Sequence, residues 1–292
     1  MAKKIFTIVN LVYQKIKTDI LGGFRLFQET AKQFTAARAP EAAAGIAYYA
    51  LFSLFPLLLV FISIGSYILK EQVIRDQLMA FIPEFFPIAQ EEIFSSIETV
   101  LSSRGTVTAI GMVGLLWSAT SVFYLLSLNI NRAWTNANQR SFFRRRLLAL
   151  AIVILFVALL LSLILVNQVL QIIIRYKPTW LDSIFFTSNT WQNLSHAIFF
   201  FLKLAVLFLL YWWIPNTHVH KRAALWGAVF SSIFLDVTRL VFYQLIRLGW
   251  IRYELVYGSI GVVITFLLWV YLMSWIVLFG AHLSARIDEK YY

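Results

Sequence analysis

Three ionisable residues lie inside segments that are otherwise almost free of charge. Lys203 lies in the apolar segment 194–214, and Asp236 and Arg239 lie in the apolar segment 223–246. A charged side chain in an apolar helix of membrane-spanning length is unfavourable unless it faces a cavity or a partner. Such groups form ion pairs, attract an anionic ligand or transfer protons.

The positions of these residues predict that they meet. At a rise of ~1.5 Å per residue, Lys203 lies roughly 16 Å and Asp236 about 20 Å from the same end of two consecutive helices. Arg239 follows Asp236 by three residues and therefore shares its helix face. We predict a Lys203–Asp236–Arg239 cluster. It either joins the two helices structurally or forms the polar floor of a site for an anionic substrate or a proton-coupled step.

The first long apolar run contributes further substrate or gating candidates. Tyr48, Tyr49 and Ser53 precede Pro56, which removes one helix hydrogen bond and predicts a kink. The small residues of 43–47 would permit close contact with another helix. These residues are therefore expected to lie near a hinge or a helix-packing surface.

No set of residues predicts catalysis. The sequence has no cysteine, which excludes thiol nucleophiles and cysteine-held zinc. His218 and His220 form an H-x-H pattern, but no carboxylate or third histidine accompanies them in the sequence. We therefore predict no catalytic residue, no metal site and no cofactor, and expect that the protein is not an enzyme.

The composition places the chain in a membrane. Of the 292 residues, 60% are hydrophobic and only 13% are charged, and the mean hydropathy is +0.76. Soluble domains carry about a quarter charged residues. A soluble globular enzyme and a disordered chain are both excluded by this balance.

Six apolar segments are long enough to span a bilayer, which takes about 20 residues per helix. We therefore predict an all-α polytopic membrane protein whose six transmembrane helices form a membrane domain at 42–285. The predicted spans are about 43–68, 107–127, 147–171, 194–214, 223–246 and 259–283.

The net charge of +11 is explained mainly by orientation. Sixteen Lys and Arg residues fall on the side of the termini and seven on the other side, so both termini are predicted to be cytoplasmic. The cluster Arg140–Arg146 is expected to anchor this topology beside anionic lipid. A nucleic-acid site there is the alternative, but no RNA-binding motif accompanies the cluster, and no nucleic-acid partner is predicted.

Little of the chain is predicted to lie outside the membrane domain. Residues 1–41 are expected to form cytoplasmic amphipathic helices with a break near Gly22 and Gly23, and 286–292 a cytoplasmic tail. The loop 70–104 is expected to form short helices at the outer face. This loop is either a packed surface cap or a lid over a cavity.

Several motifs occur in order along about residues 20–285. They are AYYALFSLFP at 47–56, LWSATSVF at 116–123, NRAW at 131–134, IPN at 214–216, VYGSIG at 256–261, LWVY at 268–271 and GAHLSA at 280–285. With these motifs the sequence resembles the YihY/BrkB family of bacterial inner-membrane proteins.

The resemblance implies a six-span inner-membrane protein of a family linked to virulence, serum resistance and transport of envelope lipid or lipopolysaccharide. It matches Asp236 and Arg239 to an acidic and a basic residue in the family's fifth span. His282 departs from the pattern, because the family usually has an acidic residue there. Members have also carried a ribonuclease BN label, for which this sequence shows no hydrolytic ligand set.

We expect a transport-type protein of the bacterial inner membrane that handles lipid or another amphipathic anionic substrate. Lys203 would attract the anionic head group, and Asp236 and Arg239 would gate it or balance the charge. Membrane lipids are the expected partners. The alternative is a non-transporting membrane partner or scaffold that docks an envelope protein through the loop 70–104. Ribonuclease or lipid-modifying activity is the least favoured expectation.

Overall fold

The computed structural model describes residues 22–65, 117–175, 188–251 and 257–291 and the single positions 72, 94, 95, 98 and 253. Throughout these residues the regular structure is helical, which confirms the all-α prediction for this part of the chain. The expectations for residues 1–21 and for nearly all of the loop 70–104 lie outside the described residues.

The described residues form seven helices. They are α1 (22–36), α2 (Ala39–Gly65), α3 (Ser121–Ala133), α4 (Phe142–Arg175), α5 (Ser188–Trp213), α6 (Lys221–Arg247) and α7 (Ser259–Tyr291). By length and composition, Lys221–Arg247 and Ile260–Tyr291 are two helices that are apolar enough to cross a membrane. Helix α2 continues through Pro56 as one uninterrupted helix.

Helix α7 lies at the centre of the arrangement. It packs most extensively against α6 and α2, and also against α3. Helix α5 packs mainly against α6 and also contacts α7 and α3, while α3 contacts both α2 and α4. Large side chains from several of them meet in one buried core, among them Ile130, Tyr211, Ile214, Leu278 and Phe279.

The N-terminal helix α1 packs against α7 through aromatic side chains. The Phe34 side chain is buried, with its ring centroid 4.7 Å from that of Trp275 and 5.4 Å from that of Phe279. Glu29 forms an ion pair with Arg286 at 3.4 Å. The helix predicted for this part of the chain is present and includes Gly22 and Gly23, while the predicted helix before them lies outside the described residues.

A tight turn connects α1 to α2. Arg38 has a φ of 54°, in the left-handed region that residues with a Cβ rarely adopt. Its Nε donates a hydrogen bond to Glu41 Oε1 at 3.2 Å. Pro40 follows at the start of α2, where its missing N–H leaves no helix hydrogen bond unmade. The local sequence therefore fixes the place at which α2 begins.

Helices α6 and α7 approach each other closely where Gly227 faces Gly280. A Cβ on Gly227 would lie 2.7 Å from the Gly280 carbonyl oxygen, and a Cβ on Gly280 would lie 1.8 Å from Ser231 Oγ. Small residues permit such close contact between apolar helices, for which lipid provides no hydrophobic driving force. The small residues predicted to permit close contact at 43–47 also pack in the bundle, since Ala43 and Ala47 are buried. Gly45 is not part of this contact, because a Cβ there would meet no atom within 4 Å.

Two predicted helix boundaries differ from the observed ones. Helix α3 begins at Ser121 after a turn at Thr120 and continues beyond the predicted end at 127 to Ala133. Helix α7 continues through the predicted tail to Tyr291. Arg286 and Glu289 stabilise this last part of α7 with an i, i+3 ion pair at 2.9 Å.

Candidate functional site

Lys203 of α5 and Asp236 of α6 form an ion pair. The Lys203 ammonium contacts Asp236 Oδ1, and the Lys203 Nζ also lies 5.4 Å from the centroid of the Phe200 ring. The contact predicted from their depths in consecutive helices is therefore present. Arg239 lies on the same helix, half-buried, one turn after Asp236.

The Lys203–Asp236 pair is not sealed between its helices. The Lys203 side chain is 25% exposed and the Asp236 side chain 44% exposed. Fully paired and buried charges hold each other in place, whereas a partly exposed pair leaves room for a third charged group. This geometry allows both interpretations raised by the sequence, a structural charge pair and a binding site for an anion.

The other predicted site residues lie on α2, away from this pair. Tyr48 and Tyr49 are 55% and 42% exposed, and their rings contact each other edge to face at 5.5 Å. Ser53 is buried and donates a hydrogen bond to the Ala50 carbonyl in its own helix. Because α7 packs between α2 and α6, the structure does not bring these three residues to the Lys203–Asp236 pair.

A second polar site surrounds Asp288, near the end of α7. Asp288 Oδ1 accepts a hydrogen bond from the His220 backbone N–H at 3.1 Å and lies 2.9 Å from His220 Nδ1. Its Oδ2 accepts a hydrogen bond from Trp134 Nε1 at 3.3 Å. One carboxylate therefore connects the ends of α3 and α7 to the start of α6. Sequence reasoning missed this site, although the adjacent acidic residues Asp288 and Glu289 at the end of a basic chain are a visible signal.

Amide side chains connect the end of α3 and the α3–α4 loop to the α5–α6 loop. Asn131 Oδ1 accepts a hydrogen bond from the Asn216 backbone N–H at 2.7 Å, and Asn216 Nδ2 donates to the Asn138 carbonyl at 3.1 Å. The Arg140 guanidinium donates to the Ile214 carbonyl. Asn131 and Asn216 belong to the NRAW and IPN motifs, so two short motifs that are distant in the sequence bind each other directly.

A buried tyrosine connects the three helices α5, α6 and α7. The Tyr211 hydroxyl lies 2.8 Å from Ser231 Oγ and donates a hydrogen bond to the Val277 carbonyl at 2.7 Å. The Tyr211 side chain is fully buried. Its hydroxyl occupies the space beside Gly280 that a larger residue there would fill. This junction holds together the two helices that carry Lys203 and Asp236.

His218, His220 and His282 have packing or hydrogen-bonding contacts. His282 is buried, and its ring contacts Phe34 edge to face at 5.6 Å. His218 and His220 lie with ring centroids 5.3 Å apart. Within the described residues, no group of three or more His, Asp or Glu side chains is placed to hold a metal ion.

Comparison with known proteins places these features in a family. The family model described as "Virulence factor BrkB" matches residues 30–292. The chain belongs to the BrkB family. The match covers the helices that carry the Lys203–Asp236 pair, the Asp288 site and the Tyr211 junction.

Curated relatives agree with this assignment. A UPF0761 membrane protein of Pseudomonas aeruginosa strain LESB58 is 29% identical over 262 residues, which cover 89% of this chain and 62% of that protein. The "Putative ribonuclease-like protein YfkH" of Bacillus subtilis is 24% identical over 265 residues, 90% of this chain and 95% of that protein. The chain therefore spans less than two thirds of the Pseudomonas relative and nearly all of the Bacillus relative. No solved structure matches the chain. This BrkB-family chain is a membrane protein.

Proposed function

We propose that this BrkB-family protein is a transport-type protein of the bacterial inner membrane that handles lipid or another amphipathic anionic substrate. In this proposal six helices cross the membrane, both termini are cytoplasmic, and the protein is not an enzyme. The observation that supports the proposal most strongly is the Lys203–Asp236 ion pair, which two apolar helices hold with both side chains partly exposed.

The chemistry of the pair gives Lys203 and Asp236 different roles. A cation inside an apolar bundle requires a compensating anion, and Asp236 supplies one in the observed structure. An anionic head group that enters beside the pair competes with the Asp236 carboxylate for the Lys203 ammonium. Lys203 then binds the head group, and Asp236 restores the closed state when the substrate leaves. Arg239, one turn away, adds positive charge and favours an anion over a cation at this site.

A charge-exchange variant separates this function from a purely structural role. The wild-type protein and the double variant Lys203→Asp/Asp236→Lys are reconstituted in liposomes that contain tail-labelled phosphatidylglycerol or phosphatidylcholine. Dithionite then reports the labelled lipid that moves to the outer leaflet. Lys290→Gln is the matched control, because Lys290 is an exposed cation that lies far along the sequence at the end of α7.

The wild type and the Lys290→Gln variant are expected to move phosphatidylglycerol faster than empty liposomes do. The exchanged pair keeps the ion pair and hence the melting temperature, but it moves the cation to α6 and is expected to lose transport. If the exchanged variant transports as well as the wild type, the pair is structural. If neither lipid moves faster with protein than without it, the proposal is refuted for these substrates. The alternative function, docking of an envelope protein, is then favoured over transport.

A further inference from the structure

Four arginines lie at 140, 144, 145 and 146, around the start of α4. Arg146 lies with its guanidinium carbon 3.8 Å from the centroid of the Trp117 ring and donates hydrogen bonds to the Trp117 carbonyl and, at 3.5 Å, to Ser121 Oγ. Trp117 and Ser121 both belong to the second predicted span. The Arg146 cation is therefore held against an apolar segment by a ring face and neutral oxygens.

Arg145 and Arg140 are held in the same way. Arg145 Nη2 donates to the Arg140 carbonyl at 2.9 Å, and its guanidinium lies 5.7 Å from the centroid of the Tyr124 ring. Arg140 donates to the Ile214 carbonyl. The Arg144 side chain is exposed. Among the described residues, none of the four arginines forms an ion pair with a carboxylate.

Arg140, Arg145 and Arg146 are partly removed from water, and no carboxylate among the described residues compensates their charges. Burial lowers the pKa of Arg140, and the neighbouring charge of Arg145 lowers it further. A guanidinium has five N–H donors in a planar fork that matches a phosphate. The carbonyl contacts of Arg145 and Arg146 use only some of these donors, so the orientation of both side chains is fixed while donors remain for an anion.

Exposed apolar side chains surround the arginines. Phe143 is 82% exposed and Leu147 68% exposed, and Phe142 is 49% exposed. Large apolar side chains next to cations are typical of a surface that lies at the boundary between lipid head groups and acyl chains. A soluble anion would leave these side chains in water, whereas a phospholipid covers them with its acyl chains and offers its phosphate to the arginines.

We propose that the arginines of residues 144–146, together with Phe143, form a binding site for an anionic phospholipid, with the head-group phosphate at the guanidinium groups. Arg144 provides an exposed charge, and Arg145 and Arg146 provide charges in fixed positions. Phe143 enters the acyl boundary beside them. This site is separate from the Lys203–Asp236 pair and does not depend on the proposed transport function.

The test measures lipid binding by the full-length protein in a neutral detergent. Tail-labelled phosphatidylglycerol and phosphatidylcholine are titrated against the wild type, Arg144→Gln, Arg145→Gln and Phe143→Ala. Lys32→Gln is the matched control, since Lys32 is an exposed cation on α1, outside the proposed site. Each arginine replacement is expected to weaken phosphatidylglycerol binding about fivefold at low salt, the effect of one cation near an anionic lipid surface.

Several results distinguish a phospholipid site from a nucleic-acid site and from unspecific attraction of anions. Phe143→Ala is expected to weaken binding without changing its salt dependence, because Phe143 carries no charge. Arg144→Gln tests the charge without disturbing the fold, because Arg144 is exposed, and melting temperatures verify this for every variant. Equal binding of the two lipids would overturn the proposal, as would arginine variants that bind phosphatidylglycerol like Lys32→Gln. A short RNA that binds through the same arginines and displaces the lipid would also overturn it in favour of a nucleic-acid site.

Discussion

Replacing Gly280 by alanine tests the close contact between α6 and α7. A Cβ at position 280 would lie 1.8 Å from Ser231 Oγ, 2.8 Å from the Tyr211 hydroxyl oxygen and 3.1 Å from the Gly227 carbonyl oxygen. The first distance is far inside van der Waals contact. Since Ser231 and Tyr211 are both buried and bonded to each other, neither has open space into which it can move.

The magnitude follows from three effects. Adding a methyl group to a well-packed interior destabilises a protein by about 1 to 3 kcal/mol. Displacing the Tyr211 hydroxyl loses buried hydrogen bonds that contribute about 1 kcal/mol each. Alanine offsets part of this, because it favours a helix interior over glycine by about 1 kcal/mol. We expect Gly280→Ala to lower the free energy of unfolding by about 2 to 4 kcal/mol.

The assay is unfolding of the purified protein in detergent, monitored by helical circular dichroism during titration with SDS. Gly45→Ala is the control, because that glycine also lies in a helix but a Cβ there would meet no atom within 4 Å. The double variant Gly280→Ala/Ser231→Gly removes the clashing hydroxyl and is expected to recover part of the loss. If Gly280→Ala were as stable as Gly45→Ala, the close approach of α6 and α7 would be incorrect.

Three further predictions concern the buried polar contacts and the α1–α2 turn. Asp288→Ala is expected to destabilise the fold by about 2 to 4 kcal/mol, because it leaves the His220 backbone N–H without its acceptor, and SDS unfolding measures this loss. Tyr211→Phe removes the hydroxyl that contacts Ser231, so a smaller loss of about 1 to 2 kcal/mol is expected by the same measurement. Arg38→Gly should melt at a higher temperature than Arg38→Ala, because only glycine relieves the positive φ. Equal melting temperatures for these two variants would contradict the strained turn.

The Lys203–Asp236 contact was predictable because it depends on few quantities. Consecutive apolar segments joined by a short loop form antiparallel neighbours, and the helical rise converts sequence position into depth. Two opposite charges at the same depth on such neighbouring helices can then be predicted to contact each other without further information about the fold. The same reasoning placed Arg239 one helical turn after Asp236, and α6 is continuous through both residues.

The Asp288 site was not predictable by the same reasoning. Asp288 and Trp134 are separated by 154 residues, and their contact depends on how α3 and α7 are arranged around the bundle. Hydropathy ended the last span before Asp288 and assigned that residue to a tail, whereas the helix continues to Tyr291. Hydropathy reports burial in lipid, and a terminal helical turn that packs on polar loops carries no apolar signal.

The glycines show a similar limit. Small residues in a sequence indicate where a helix can be approached closely, but not which other helix contacts it there. Gly45 lies in the small-residue segment of α2 without a close neighbour, while Gly227 and Gly280 contact each other across α6 and α7. The partner of a small residue depends on helix order, and α7 takes the central position through its packing with α2, α3 and α6.

The contacts of the charged side chains change how the net charge of +11 is explained. The carboxylates of Glu29, Glu41, Asp236, Asp288 and Glu289 each contact a basic side chain within the chain, with His220 as the partner of Asp288. These contacts hold helices, turns and chain ends together, so the carboxylates already have partners.

The arginines around the start of α4 contact aromatic rings and carbonyl groups instead, which orient a cation without neutralising it. A positive excess that only fixed the topology would need no such orientation, because charge alone determines the side of the membrane. Arginines that are held in place beside exposed aromatic side chains are arranged to receive an anion, and in a membrane protein the most abundant anion at that boundary is a phospholipid head group.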